Sequence, residues 1–359
     1  MSEAVVDDIV ALLPPLLQSI ETLGFVARYL HPPDFGEVMR MAGTPDADLR
    51  AELPKLASWP DSFAHLRGPL QSAGNHVVAA FDGLRAAESG EGDLVTVFRA
   101  LRHLPRSMEA LYPLAATLPP ISDLFLDEAA RADDDVRARL AQPKHPDSGV
   151  FHHDNEPGSR GGGFSFYVPE TYTPDRAWPL VVALHGGSGH GRLFLWSWLR
   201  DARSHGAIVV APTATGPTWA LMGEDADTPN LDRIVAFLRS RWSIDPERLL
   251  LTGLSDGGTF CYVSGLGSAS PFTHLAPIAA SFHPMIASIA DAERLRGLPI
   301  QIVHGLHDWM FPVELARQAQ QALVAAGADV TYREIDDLSH TYPREINAPL
   351  LGWLARGDR

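Results

Sequence analysis

The stretch LLLTGLSDGG, residues 249–258, decides the fold prediction, because a short apolar run leads directly into a GxSxG pattern centred on Ser255. The pattern requires a buried strand that delivers the chain to a tight turn, and a helix that begins just after the serine. Glycine is needed at Gly253 and Gly257, since a Cβ there would collide with neighbouring backbone. GxSxG alone is a weak signal, but its strand, turn and helix context predicts a serine nucleophile rather than a loop serine.

Similar apolar runs recur along the second part of the chain, with helical periodicity between them. Strands are expected at residues 180–184 (LVVAL), 207–211, 249–252, 275–279, 300–303 and 330–335. Residues 163–169 alternate in the manner of an exposed early strand. Helices are expected at residues 231–242, 312–326 and 348–356. Strands that alternate with helices predict an α/β fold with a mostly parallel central sheet, covered by helices on both faces.

The first 140 or so residues have a different character. Residues 91–104 and 121–140 carry Ala, Leu, Arg and Glu at helical spacing, and no strand pattern is evident before the Gly, His and Pro rich stretch that follows. The expected organisation is a helical N-terminal domain (1–145), a linker (146–162) and an α/β catalytic domain (163–359). The helical domain could act as a lid, as a docking module or as the contact surface of a homo-oligomer.

The composition argues against several classes of partner. A formal net charge of −15 disfavours nucleic acid and anionic membrane surfaces, since both bind basic patches. No membrane span is expected, because Pro14 and Pro15 interrupt the N-terminal apolar run and the chain starts with acidic residues. Cys261 is the single cysteine, so an intramolecular disulfide is impossible. A cytoplasmic protein with a buried, inert thiol is expected.

A serine hydroxyl needs a base that takes its proton and an acid that orients the base. Asp308 comes just after QIVHGLH, residues 301–307, at the carboxyl end of a predicted strand, which is where reactive groups collect in an open α/β sheet. If the chain order is serine, acid, base, only His340 remains as the base among the later histidines, which are His274, His283, His304, His307 and His340. Asp291, Asp336 and Asp337 are competing acids, and Asp308 could instead cap the helix beyond Pro312.

Acyl transfer places negative charge on the carbonyl oxygen, which backbone N–H groups must stabilise. One donor is expected to be the amide of Asp256, because it lies at a helix start. The second is expected from HGGSGHG, residues 185–191, with Gly187 as the first choice and Ser188 next. The alternative is a phosphate-binding loop, but both the GxGxxG spacing and a Walker lysine are missing.

These motifs together, HGG after one strand, GLSDGG after another, HGLHDWMFP later and a final SHTYP, resemble the α/β-hydrolase superfamily. Within it, the chain is similar to bacterial carboxylesterases of the phospholipase/carboxylesterase and polyhydroxybutyrate depolymerase or feruloyl esterase type. The resemblance covers roughly residues 163–356. It implies Ser255 as nucleophile, Asp308 as acid, His340 as base, and cofactor-free hydrolysis of small to medium carboxylic esters through an acyl-enzyme.

Substrate contacts are expected from aromatic residues near the predicted site. Trp219 resembles a pocket-lining aromatic of these esterases, although a core position is an equal alternative. Trp309 and Phe311 follow Asp308 and are better candidates, whereas Trp196 and Trp198 are expected in the core. A metal site at His152, His153 and Asp154 is disfavoured, since a linker without a second ligand pair is poor evidence.

Two other functions are compatible with the same motifs. One is a serine peptidase of the oligopeptidase type, in which the helical domain would gate access. The other is a binding or scaffold protein on a hydrolase fold that has lost its activity. The complete set of Ser255, Asp308, His340 and HGG argues against loss of activity, because decay normally removes one member.

Overall fold

The computed structural model describes residues 3–142, 144–156 and 161–356. The α-helices in chain order are α1 Glu3–Tyr29, α2 Phe35–Ala42, α3 Asp46–Glu52, α4 Ala64–Glu88, α5 Leu94–Leu101, α6 His103–Leu111, α7 Pro119–Leu124, α8 Glu128–Ala132, α9 Asp134–Leu140, α10 Gly191–Phe194, α11 Leu199–His205, α12 Asp227–Arg239, α13 Asp256–Gly265, α14 Met285–Ile289, α15 Ala292–Leu295, α16 Val313–Ala325 and α17 Asn347–Arg356. Short 3₁₀ turns lie at Pro32–Asp34, Leu53–Ser58, Asp61–Phe63, Tyr112–Ala116, Leu195–Ser197 and Arg344–Ile346.

Within the described residues, eight strands form one sheet. They are β1 Gly149–His153, β2 Phe164–Val168, β3 Trp178–Leu184, β4 Ile208–Pro212, β5 Ile244–Leu254, β6 His274–Ile278, β7 Pro299–Gly305 and β8 Asp329–Ile335. The spatial order is β1-β2-β4-β3-β5-β6-β7-β8. The pairs β1/β2 and β2/β4 are antiparallel, and the other pairs are parallel. The prediction of a mostly parallel sheet with flanking helices and an N-terminal helical region is confirmed.

The chain divides into two compact units, Met1–Asp127 and Glu128–Arg359. The first therefore ends before the expected boundary at residue 145, and α8 and α9 belong to the second unit. The stretch 146–162, expected to be a linker, contains β1, which pairs with β2 in register from Gly149↔Val168 to His153↔Phe164. Its residues 157–160, together with 1–2, 143 and 357–359 of the expected domains, lie outside the described residues.

Helix α1 corrects the expectation that Pro14 and Pro15 interrupt the N-terminal apolar run, because the helix continues through both prolines. The carbonyls that lose a helical partner belong to Val10 and Ala11, which are both exposed, so water can satisfy them. The opposite face is buried at helical spacing, which offsets the cost of the prolines. That face consists of Val5, Ile9, Leu12, Leu13, Leu16, Ile20, Leu23 and Val26.

The length of α1 also bears on the expected absence of a membrane span. Among the described residues, α1 is the one helix long and apolar enough to cross a membrane, with a mean hydropathy of 1.6 over its most apolar window. That window is 44% buried, and a buried core helix and a signal sequence both satisfy the same criterion. The cytoplasmic location stays a prediction.

Strand β2 is buried at all five positions, so the expectation of an exposed strand is wrong. It lies between β1 and β4, and aromatic side chains cover it. Phe166 packs edge-on against Trp242 at 5.2 Å between ring centroids, and Phe164 packs edge-on against Phe237 at 5.4 Å. Tyr167, on the other face, donates to the buried carboxylate of Glu170 at 2.6 Å. The alternation of polar and apolar residues in β2 therefore arises because its polar side chains have buried hydrogen-bond partners, not because they contact solvent.

The parallel part of the sheet brings four chain segments to one edge. β5 lies between β3 and β6 and ends at Leu254, immediately before Ser255. The loop after β3 carries HGGSGHG, the loop after β7 carries Asp308, and the loop after β8 carries His340. Since the carboxyl ends of parallel strands share one edge, residues far apart in sequence meet there.

Candidate active site

Ser255 has a strained backbone, with φ 56° and ψ −119°, at the junction of β5 and α13. Positive φ at a residue with a Cβ costs on the order of 1–3 kcal/mol and persists only where the surroundings impose it. Those surroundings are tight, since a Cβ on Gly257 would lie 2.5 Å from the carbonyl oxygen of His185, and one on Gly253 would lie 2.5 Å from the carbonyl carbon of Gly257. The close backbone approach expected at both glycines is observed.

Three side chains form a continuous chain of hydrogen bonds at this turn. The Oγ of Ser255 lies 2.9 Å from Nε2 of His340, and Nδ1 of His340 lies 2.8 Å from Oδ2 of Asp308. A carboxylate only accepts hydrogen bonds, so Nδ1 carries the proton and Nε2 is free to accept from the serine hydroxyl. The structure thus brings together the predicted nucleophile, base and acid in the arrangement that proton removal from serine requires.

The Asp308 carboxylate is held from two sides. Its Oδ1 accepts from the backbone N–H groups of Met310 at 2.9 Å and Phe311 at 2.8 Å, and its side chain is fully buried. These contacts orient the carboxylate, and Oδ2 is the oxygen that faces His340. The competing acids are placed differently, because Asp291 caps α15 through the N–H of Glu293, while Asp336 and Asp337 are exposed.

The HGG loop lies directly against the serine turn. A Cβ on Gly186 would lie 3.6 Å from the Cβ of Ser255, and one on Gly187 would lie 2.6 Å from Oδ2 of Asp256. That carboxylate oxygen accepts from Thr218 Oγ1 at 2.5 Å, so the Asp256 side chain connects the start of α13 to the loop that carries Thr218. The amide of Asp256 is in the first turn of α13, where it has no acceptor within the helix.

Ser188 has a left-handed backbone, with φ 55°, and Gly189 N–H donates to the Gly186 carbonyl at 2.9 Å. The loop is therefore a tight turn that packs against the turn of Ser255. Gly187 and Ser188 both lie in this turn, and the choice between them as the second oxyanion donor stays a prediction.

His185 supports this loop, and the sequence reasoning did not single it out. Its Nδ1 donates to the Gly186 carbonyl at 2.7 Å, and its Nε2 accepts from the Ala214 N–H at 3.1 Å. Its backbone carbonyl accepts from Trp219 Nε1 at 2.7 Å. Burial is the largest cause that lowers the pKa of His185 to about 4. The neutral imidazole, with one donor and one acceptor nitrogen, therefore holds the loop near neutral pH.

This shift makes the stability of the second unit depend on pH. Because the folded pKa of His185 is about 4 and its ordinary value is 6.5, the unfolded chain binds the extra proton between these values. The contribution of neutral His185 to the free energy of unfolding is therefore fully present above about pH 6.5. It is lost as pH falls towards 4, by up to about 3 kcal/mol. Urea unfolding at pH 7.5 and 4.5 should show a smaller pH effect for His185→Gln than for the unsubstituted protein. The exposed His205, changed to Gln, serves as the control, and equal pH effects in both variants would contradict the assignment.

The predicted aromatic contacts occupy two different environments. Trp219 is 2% exposed and stacks on Phe260 at 5.5 Å between ring centroids, which favours the core interpretation over a pocket lining. Trp309 is 42% exposed, and the Phe311 ring meets the His340 ring edge-on at 5.2 Å. Trp196 and Trp198 are both buried, as expected.

Two other sequence expectations concern a metal site at His152, His153 and Asp154 and the thiol of Cys261. Within the described ranges, no three His, Cys, Asp or Glu side chains are grouped as metal ligands would be. Nδ1 of His152 lies 2.7 Å from the Ser165 hydroxyl. Cys261 is buried, and burial raises the pKa of its thiol well above the ordinary value.

Comparison with known proteins gives one curated relative and a set of structural neighbours. The bifunctional acetylxylan esterase/xylanase XynS20E of Neocallimastix patriciarum is 30% identical over 152 residues, which is 41% of this chain and 22% of that protein. The chain thus spans about a fifth of the relative's length. A ferulic acid esterase structure is 16% identical, covers 59% of this chain and all of its own, and has a TM-score of 0.50.

A thermostable esterase structure is 23% identical, with 59% of this chain and 60% of that chain covered and a TM-score of 0.43. No family model matches the sequence. At its identity of 16%, the ferulic acid esterase structure establishes the fold alone, which is that of the α/β-hydrolases, and the mostly parallel sheet order agrees with it.

Proposed function

We propose that this chain, which has the α/β-hydrolase fold, is a serine carboxylesterase that hydrolyses small to medium esters through an acyl-enzyme. The observation that carries the proposal is the hydrogen-bonded chain from Ser255 Oγ through His340 to Asp308, at 2.9 and 2.8 Å. An ordinary buried serine would have no need of an imidazole that is itself oriented by a buried carboxylate.

In the proposed mechanism, Nε2 of His340 takes the proton of Ser255 as Oγ attacks the ester carbonyl. Asp308 keeps the imidazole in the Nδ1–H tautomer and stabilises the imidazolium that forms. The alcohol leaves with the proton from His340, and the acyl group stays on Ser255. Water then attacks the acyl-enzyme while His340 again acts as base, which releases the acid and restores the serine.

The negative charge that develops on the carbonyl oxygen would be bound by backbone amides. The Asp256 amide and that of Gly187, or of Ser188, are the proposed donors, and the loss of one such donor typically costs about 3 kcal/mol of transition-state stabilisation. Support for this comes from the close approach of the HGG loop to Ser255. The positive end of the α13 dipole adds to the stabilisation.

The test of the proposal is a burst experiment with p-nitrophenyl acetate. An acyl-enzyme that forms faster than it hydrolyses releases about one equivalent of p-nitrophenol per protein before the steady state. A panel with acyl chains of increasing length, an acetylated xylan and methyl ferulate then defines the substrate class, since the comparison proteins are named for acetylxylan and ferulic acid esters. Turnover of aminoacyl amides in preference to every ester would favour the peptidase instead.

Trp309 is proposed to contact the acyl or aryl group, because it is 42% exposed and lies beside His340. Trp309→Ala should raise KM for esters with long or aromatic acyl groups by about tenfold, which corresponds to the loss of 1–2 kcal/mol of apolar contact. Acetyl esters should be affected little. Val324, an exposed apolar residue on α16, changed to Ala, is the matched control. An equal change of KM for acetyl and long-chain esters would argue against a substrate contact.

Further expectations remain proposals. The helical unit Met1–Asp127 is proposed to act as a lid, as a docking module or as the contact surface of a homo-oligomer. A light-scattering mass of the purified chain tests for the homo-oligomer. A cytoplasmic location and the absence of nucleic-acid partners are likewise proposed from composition alone.

A further inference from the structure

His304 is a buried histidine beside the catalytic acid, and the proposed mechanism makes no use of it. It is the penultimate residue of β7, is 1% exposed, and precedes Asp308 by four residues. Its Nε2 lies 2.8 Å from the backbone carbonyl oxygen of Phe311 and 3.3 Å from Oδ2 of Asp308. Both neighbours of this nitrogen are therefore oxygen atoms that accept hydrogen bonds.

The tautomer of His304 follows from these contacts. A carbonyl oxygen and a carboxylate cannot donate, so Nε2 must carry a hydrogen. That N–H donates mainly to the Phe311 carbonyl, which is the nearer acceptor, and its positive end also faces Oδ2. If Nε2 carried no hydrogen, its lone pair would face the lone pairs of both oxygen atoms in a buried site.

Phe311 consequently fixes the turn that carries Asp308 through both its N–H group and its carbonyl. The Phe311 N–H donates to Oδ1 of Asp308 at 2.8 Å, and the Phe311 carbonyl accepts from His304. The carboxylate cannot rotate without breaking the first contact, and the turn cannot move outward without breaking the second. Oδ2 is thereby directed at Nδ1 of His340.

We infer that His304 is a positioning residue that holds the Asp308 turn and shares the negative charge of its carboxylate with His340. The inference rests on the proposed function, because it assigns a role relative to the triad. Glu334, the register partner of His304 on β8, is a further ionisable group that interacts with it. Glu334 is engaged by Arg317 at 2.7 and 3.0 Å and by the Tyr332 hydroxyl at 2.7 Å.

Two substitutions separate positioning from simple packing. His304→Leu removes the N–H, so Asp308 should be less well oriented and kcat should fall about tenfold to a hundredfold, with KM nearly unchanged. The imidazolium form of His340 would then no longer share this carboxylate with the His304 N–H, so the acid limb of the kcat/KM profile should move to higher pH. His304→Gln places an amide N–H near the Nε2 position and should restore most of kcat and the original limb.

The matched control is His274, which is also 1% exposed and lies on the neighbouring strand β6, with its ring edge-on to Trp353 at 4.6 Å between ring centroids. His274→Leu should cost stability without moving the acid limb. If His304→Leu keeps both kcat and the acid limb of the unsubstituted protein, the inference is overturned. If the unsubstituted protein has no Ser255-dependent esterase activity at all, it is the proposed function that fails.

Should His304→Leu not fold, ring ¹⁵N NMR on the unsubstituted protein decides the question. His304 must be the Nε2–H tautomer, and its Nε2 proton shift should change when a phosphonate adduct on Ser255 makes His340 cationic, because both histidines contact Asp308. The opposite tautomer, or a proton shift unaffected by the adduct, would overturn the inference.

Discussion

Ser255→Ala is expected to lower kcat for p-nitrophenyl acetate by about a millionfold, the usual cost of losing a triad nucleophile. The large effect follows from the geometry, because Oγ is the atom that His340 Nε2 approaches at 2.9 Å. Without it, the acyl-enzyme cannot form and the imidazole has no proton to remove. Only the weaker contribution of substrate binding and the oxyanion donors would remain.

The control for this change is Ser264→Ala, since Ser264 is also buried and lies on α13, the helix that follows the nucleophile. That variant should keep its activity. Both proteins should unfold at nearly the same urea concentration, because the strained backbone of Ser255 is imposed by Gly253 and Gly257 rather than by its hydroxyl. Turnover by Ser255→Ala within tenfold of the unsubstituted protein would exclude Ser255 as the nucleophile.

Asp308→Asn is expected to lower kcat by about ten thousandfold. The Oδ1 position accepts two backbone N–H groups, from Met310 and Phe311, so the amide carbonyl of Asn must occupy it. The NH₂ group then faces His340 and donates to Nδ1. The imidazole proton is forced onto Nε2, which can no longer accept from Ser255.

The matched control is Asp336→Asn, because Asp336 is an exposed acid close to His340 in sequence. This variant should keep kcat within about twofold of the unsubstituted protein. The two variants are compared by steady-state hydrolysis of p-nitrophenyl acetate and by circular dichroism. If Asp336→Asn loses activity and Asp308→Asn does not, the acid has been assigned to the wrong loop.

Much of the sheet could be predicted because the central parallel strands β3 and β4, and the second half of β5, are buried on both faces and so appear as continuous apolar runs. LVVAL at residues 180–184 and LLLT at residues 249–252 both lie within observed strands, β3 and β5. β1 was missed because GVFHH has two histidines and lies within a Gly, His and Pro rich stretch. This segment forms a strand because it pairs with β2. Pairing with another segment produces no recognisable hydrophobic periodicity in so short a sequence.

In helix α1, tertiary packing overrides the local rule that prolines end a helix. Pro14 and Pro15 indicate a helix end, yet the buried stripe on the other face continues past them. Propensity costs of a few kcal/mol are small against the burial of many apolar side chains.

The site likewise contains residues that could be predicted from the sequence and residues that could not. Ser255, Asp308 and His340 could be singled out because a reaction requires those residue types in a known chain order. His185 and His304 could not, since a buried histidine at a strand end has the same sequence signature whether it supports a loop or only fills space. Their positions become informative once the distances to Gly186, Phe311 and Asp308 are known.

The most direct measurement of the central proposal is labelling of the folded chain by a fluorophosphonate, followed by peptide mass spectrometry. Phosphonates react with a serine whose proton is removed by an adjacent base, and the adduct mimics the tetrahedral intermediate. One adduct per chain is expected, on the peptide that contains Ser255, and labelling should be absent in Ser255→Ala and in heat-unfolded protein. Folded protein that remains unlabelled, or labelling that persists in Ser255→Ala, would contradict the assignment of Ser255 as an activated nucleophile.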